Sequence, residues 1–438
     1  MLSALSQNRI LKIALPAIIS NITVPLLGLV DVAIVGHLGS SAYIGAIAVG
    51  NMIFNVVYWI FGFLRMGTSG MTSQALGKRD LNEVNRLLAR SAGTGFIIAI
   101  LILLFQYPVL RLALSLIEST PEVEYFASQY FHILIWGAPA VLGLYGFSGW
   151  FIGMQNSRFP MYIAITQNLL NIGVSVFLVY GAGLKVAGIA WGTLIAQYGG
   201  LILALILWIR YYPSLRKRFI LKGIWEHNAM KNFFRVNRDI FLRTLCIVIV
   251  TMYFTTAGAS RGNTILAVNT LLMQFFTLFS YFMDGFAYAG EALAGKHTGT
   301  GNLLALKKTV RDIFLWGAGI AFIFTLLYVT GNNTFLKLLT NDKTIIDAAK
   351  DFSYWVWAIP FAAFIAFIWD GIFIGATASR PMLISMAIAT MSFFIAYFGL
   401  SNILGNHALW FAFIVYLFLR GFVQTLLAPK VIRSSTRA

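Results

Sequence analysis

The chain has 438 residues, of which 59% are hydrophobic and 11% charged, and it carries a formal net charge of +17. A soluble domain is about 25% charged and lacks repeated apolar stretches of about 20 residues, so composition excludes that class and predicts an all-α polytopic membrane protein. The one cysteine, Cys246, excludes an intrachain disulfide, and the five scattered histidines form no HExxH-type pair. A zinc enzyme is therefore not expected, nor is any other enzyme, metal centre or cofactor.

Hydropathy marks twelve spans, at about 10–35, 44–65, 88–108, 127–150, 160–181, 186–209, 238–260, 263–287, 311–330, 352–375, 382–400 and 407–427. The amphipathic start MLSALSQNRILK runs into a span too long for a signal-peptide core, so no cleaved leader is expected. The first span holds Pro16, Pro25 and, six residues beyond Pro25, Asp31. Each proline deletes a helical hydrogen bond and makes the helix bendable. A carboxylate at that depth costs several kcal/mol unless it is protonated, ion-bound or facing water. Asp31 is accordingly the leading candidate for coupling to a cation, with a structural, hydrogen-bonded carboxylate as the alternative.

With the amino terminus in the cytoplasm, the outer loops hold only Arg111, Lys185, Arg261, Lys337, Lys343 and Lys350 of the 32 basic residues. The positive-inside rule selects that orientation, with both termini cytoplasmic. The run RYYPSLRKR at 210–218 is then a topology signal beside anionic lipid, and no nucleic-acid partner is expected.

The polar stretch 210–237 separates six spans from six: a first lobe of 1–209, a cytoplasmic inter-lobe loop of 210–237, and a second lobe of 238–438 with a short cytoplasmic tail. The halves match in sequence. IWGAPAVLGLYGFSGWFIGMQNSRFPM at 135–161 resembles VWAIPFAAFIAFIWDGIFIGATASRPM at 356–382, displaced by 221 or 222 residues. ALGK at 75–78 and LAGK at 293–296 form a second pair, each closing an even-numbered span. Six spans per repeat preserve orientation, which implies two six-helix lobes related by a pseudo-twofold along the membrane normal, with a cleft between them.

Four acids stand out in the second lobe. Asp370, late in the tenth span, is the most deeply embedded, and its repeat counterpart is Gly149, or Ser148 with a one-residue offset. Asp284 and Glu291, seven apart, share a face of the eighth span and suit a gate or an inter-helix ion pair. Asp239, at the start of the seventh span between Arg238 and Arg243, suits a structural role at a helix amino end. Phe54, Tyr58, Met66, Phe147, Met273, Phe276, Tyr281 and Phe286 are candidate linings of the cleft, where aromatic faces and methionines would suit bulky organic cations; each is also a good packing residue.

The strings LVDVAIVGHLGS (29–40), VNRDIFLRTL (236–245), AVNTLLM (267–273), DGFAYAGEALAG (284–295), WDGIFIGAT (369–377) and GNHALWFAF (405–413) together resemble the multidrug and toxic compound extrusion (MATE) transporters, in their DinF-like branch. The resemblance covers both halves. It implies a twelve-helix, two-lobed antiporter that exports amphipathic or cationic molecules against proton or sodium entry. It also implies that Asn171 and Thr193 form a polar pocket around Asp31, and that Asp370 handles cations. Where relatives carry an Asp four residues after the asparagine, this chain has Ser175, which cannot hold a proton or a charge. The seventh span, CIVIVTMYFTTAG, also lacks the acid of the sodium-coupled branch. Both departures favour protons over sodium, although Asp31, Asn171 and Ser175 could still form an oxygen-rich sodium site. The expected partners are a small-molecule cargo and the lipids of a bacterial cytoplasmic (inner) membrane, and the expected functional unit is a monomer. Flipping of a lipid or lipid-linked saccharide is the alternative function.

Overall fold

The structure, a computed structural model, describes residues 2–38, 40–117, 120–218 and 223–435. Among them, twelve helices are long and apolar enough to cross a bilayer. They are α1 (Gln7–Gly36), α2 (Ser41–Gly77), α3 (Leu81–Leu104), α4 (Pro121–Gly153), α5 (Arg158–Gly181), α6 (Lys185–Tyr211), α7 (His227–Ala259), α8 (Asn263–Gly299), α9 (Leu303–Leu339), α10 (Ser353–Gly375), α11 (Ser379–Leu404) and α12 (Asn406–Ser434). All twelve expected spans are present. Several run further than their apolar stretches, because a helix continues through polar turns once it leaves the hydrocarbon. α7, for example, begins eleven residues before the apolar run at 238.

Contacts divide the chain into two compact units, Ile19–Asn232 and Met1–Ile18 with Phe233–Ala438. The sequence places all of α1 in the first lobe, 1–209; contacts group its first part, up to Ile18 between Pro16 and Pro25, with the other unit. The reason is local: Gly285 of α8 lies against the Ala14 carbonyl and Ile18, close enough that a Cβ at Gly285 would sit 2.8 Å from that oxygen. Secondary structure continues through both prolines.

The repeat is written in the backbone with one register. α2 and α8 both have 37 residues and begin 222 residues apart. Two residues beyond each helix end the chain turns through a left-handed residue, Arg79 at φ 59° and Gly301 at φ 67°. Each is followed by a cap whose side chain accepts from the third residue on, Asp80 from the Glu83 N–H and Asn302 from the Ala305 N–H, both at 2.9 Å. Gln155 (φ 63°) and Thr377 (φ 51°) repeat at the same displacement, as do Gly183 (φ 69°) and Gly405 (φ 57°).

Close packing obeys the same register. A Cβ at Gly149 would lie 2.2 Å from the Arg65 carbonyl oxygen, and one at Gly371 the same distance from the Ala287 carbonyl oxygen. This shows Ser148 to be the counterpart of Asp370. It also corrects one sequence match. LAGK at 293–296 stops short of the end of α8 at Gly299, so the counterpart of 75–78 is 297–300, and the ALGK–LAGK similarity is offset by about one helical turn.

Candidate coupling site

In the first unit, Asp31 is 2% exposed, on the part of α1 that packs there. Two bonds tie this stretch to the α5 segment: the Asn168 amide donates to the Thr23 carbonyl at 3.1 Å, and the Tyr180 hydroxyl donates to the Ile34 carbonyl at 2.8 Å. The Asn171 amide lies close to the Asp31 carboxylate. It donates to Thr193 Oγ1 at 2.8 Å, and that hydroxyl donates to the Ile189 carbonyl at 3.0 Å. Three residues expected to meet, Asp31, Asn171 and Thr193, are thus brought together by α1, α5 and α6.

Ser175, one turn beyond Asn171, faces Gly192 of α6; a Cβ there would lie 2.1 Å from its Oγ. Small residues at this crossing let the two helices approach closely. Asp31 Oδ1, Asn171 Oδ1 and Ser175 Oγ are all buried and have no hydrogen-bond partner. Unmet polar atoms in a bilayer protein cost free energy, so acceptors of this kind are available to a proton or another small cation.

Tyr130 of α4, fully buried, was not anticipated. Its hydroxyl donates to Asn51 Oδ1 of α2 at 3.0 Å, in the same buried neighbourhood as Thr193 and Asp31. An isolated amide in the apolar run VGNMIF was the available signal for Asn51. Nothing marked Tyr130, since tyrosines are common in any bilayer protein.

Asp370 is elsewhere, in the second unit, and its surroundings differ. Its Oδ2 accepts from Arg243 of α7 and Arg420 of α12, and its Oδ1 accepts from the Gln424 amide at 2.6 Å. All four side chains are buried. Its partners are the protein's own cations, where the resemblance led one to expect handling of a mobile one. Arg420 and Gln424, one turn apart on α12, escaped the sequence reading.

Asp239 is buried and accepts from the Ser379 hydroxyl at 3.0 Å and from Arg238 at 2.9 Å; because α7 already begins at His227, it lies twelve residues inside the helix and not at a helix amino end. Glu291 is buried on α8, and Asp284 of the same helix is half-buried. Of the aromatic candidates, Phe54 is buried in the first unit with ring centroids 5.5 Å from Tyr58 and 5.2 Å from Phe131. Phe147 and Tyr58 are buried as well, and Phe286 stacks on Trp316 at 6.1 Å. Met66, Met273, Phe276 and Tyr281 are half-buried.

The sequence profile of the MatE family matches twice, at residues 16–177 and 240–398, one match in each half. The chain belongs to the MatE family. It is 36% identical over 422 residues to DNA damage-inducible protein F of Escherichia coli, covering 95% of this chain and 90% of that one, which supports the DinF-like assignment. It is 22% identical over 353 residues to the probable multidrug resistance protein NorM of Thermotoga maritima, covering 78% of this MatE chain and 74% of the relative. The Vibrio cholerae MATE transporter VcmN in its bent form has the same fold, with a TM-score of 0.86 at 16% identity over 99% of this chain and 98% of that one. The two-lobed, twelve-helix MATE architecture is therefore that of this protein.

Proposed function

We propose that this MatE protein is a secondary antiporter of the bacterial cytoplasmic membrane, exporting amphipathic or cationic organic molecules in exchange for protons that bind at Asp31. The observation that carries the reading is the Asp31 carboxylate, held in a membrane helix beside Asn171, with one oxygen unpartnered and no ion pair to it among the described residues. A proton removes the charge without requiring a large ligand set. Sodium would need several oxygens, and Ser175 brings a hydroxyl where a second carboxylate would have lowered the cost of a bare cation.

The cycle follows from charge. With Asp31 ionised, the pocket favours arrangements that keep water or hydrogen-bond donors at the carboxylate; once it is neutral, a drier packing of α1 on α5 and α6 becomes favourable. Pro16 and Pro25 flank the point where α1 leaves one unit for the other, so a change of helix shape there is a two-state element that protonation can bias. Cargo leaves outward, a proton enters from outside, and its release to the cytosol resets the protein. Half-buried aromatic and methionine side chains such as Phe276, Tyr281, Met66 and Met273 suit an apolar, shape-tolerant cargo surface. In this reading one chain is the functional unit, with lipid as its other partner.

Purified protein in sealed liposomes tests this directly. A fluorescent organic cation and internal pH are followed under separate proton and sodium gradients. Cargo movement driven by the pH gradient and lost in Asp31→Asn is expected. Export by that variant with unchanged pH dependence, or movement driven by sodium alone, would refute proton coupling at Asp31. Movement under neither gradient would direct attention to lipid cargo.

A further inference from the structure

We propose that Arg243 and Arg420 determine ion specificity: their guanidiniums fill the cation positions at Asp370 and close the second unit to sodium, leaving Asp31 as the place where a mobile cation acts. The argument begins with the carboxylate. Oδ2 of Asp370 already accepts from both guanidiniums, and Oδ1 accepts from Gln424 Nε2 at 2.6 Å, so each oxygen has a donor. Arginine does not deprotonate inside proteins, which makes these permanent, tethered cations in a way that lysines would not be. Two positive charges on one carboxylate also repel an entering ion in a low-dielectric interior.

The pair is held firmly. Asp370, Arg243 and Arg420 are each 5% exposed or less, and the Arg420 guanidinium lies 5.4 Å from the Phe367 ring centroid. Trp369 Nε1 donates to Thr425 Oγ1 at 2.8 Å and fixes α10 against α12 beside the cluster. Gln424 Oε1, fully buried, has no partner. Without the guanidiniums, that amide oxygen and the Asp370 carboxylate would form the beginning of an oxygen site for a hard cation.

The inference rests on the export reading only for its consequence, because it is tested by binding. Full-length protein in detergent is melted in sodium chloride and in choline chloride at equal concentration. Arg243→Gln with Arg420→Gln is expected to gain an upward, saturable shift specific to sodium that the wild type lacks. Adding Asp370→Asn to that double variant should abolish the shift. A folded double variant with no sodium shift would overturn the proposal, as would a shift surviving loss of the carboxylate.

A second measurement does not depend on the double variant folding. Equilibrium binding of radioactive sodium to Asp31→Asn should show no site, since the second unit contributes none; stoichiometric binding there would overturn the idea. A protein that transports nothing would fail the export reading and leave these results unaffected.

Discussion

Asp31, Asn171 and Ser175 have as counterparts, 222 residues on, Tyr253, Phe393 and Tyr397. The three aromatic residues meet as the polar ones do: the Tyr253 ring lies 6.2 Å from Phe393 and 5.4 Å from Tyr397, both edge to face. The opposite exchange holds around Asp370, Arg243 and Arg420, whose counterparts are Ser148, Asn21 and Tyr198. The two halves thus share caps, left-handed turns and glycine contacts at one register, while their buried charges fall in different places. A shared backbone frame needs neither set of charges to fold. Each set must therefore be explained by what its own half does: an acid with an unpartnered oxygen in the first, an acid neutralised by two arginines in the second.

The largest expected difference is in transport. Asp31→Asn should abolish proton-driven export, whereas Tyr253→Phe, at the equivalent place, should leave its rate within about twofold in the same liposome assay, because a phenyl ring keeps the edge-to-face packing. Loss of export in both would mean that the aromatic cluster shares the coupling role and the halves are less different than their chemistry suggests.

Next is stability at the second charged set. Asp370→Asn strands two buried guanidiniums, and breaking a buried ion pair by removing one partner costs about 3–5 kcal/mol. Ser148→Ala, its half-buried counterpart, should cost about 0.5 kcal/mol or less. Thermal unfolding of the two variants in detergent checks the contrast, and equal effects would show that the arginines are satisfied without Asp370.

Where the halves agree, so should their variants. Gly149→Ala and Gly371→Ala each push a methyl group into a backbone carbonyl at the same 2.2 Å, and overpacking of this kind typically costs about 1–3 kcal/mol. Similar losses in melting temperature are expected. A large loss at one position and none at the other would mean that one crossing can open and the other cannot.

Much of this organisation was legible in the sequence. Spans were visible because hydrocarbon demands unbroken apolar windows, and their ends were not, because helices such as α7 and α9 continue past the hydrocarbon on polar residues. Asp31, Asn171 and Thr193 stood out as polar side chains in apolar runs. Arg420 is equally out of place, but near the last helix end it reads as a topology charge; only its one-turn spacing from Gln424 hinted at a shared buried face. The repeat was legible from the 135–161 match, whereas ALGK misled because short alanine–glycine strings suit any tight crossing and do not fix a register. That information lay in the turn residues instead.

Those turns supply the smallest test. The left-handed position after α2 is Arg79 in the first half and Gly301 after α8 in the second, and both are exposed. A residue with a Cβ pays about 1–2 kcal/mol in that conformation, while glycine gives back roughly 0.5–1 kcal/mol through the freedom of the unfolded chain. Arg79→Gly should therefore stabilise the protein by about 0.5 kcal/mol, and Gly301→Ala should destabilise it by a similar amount. Opposite, nearly equal shifts would show that the two turns carry the same backbone requirement with different side chains. Destabilisation by Arg79→Gly would instead mean that the arginine side chain makes a contact worth more than its backbone strain, and that here, as at Asp370, a charge in one half has no equivalent in the other.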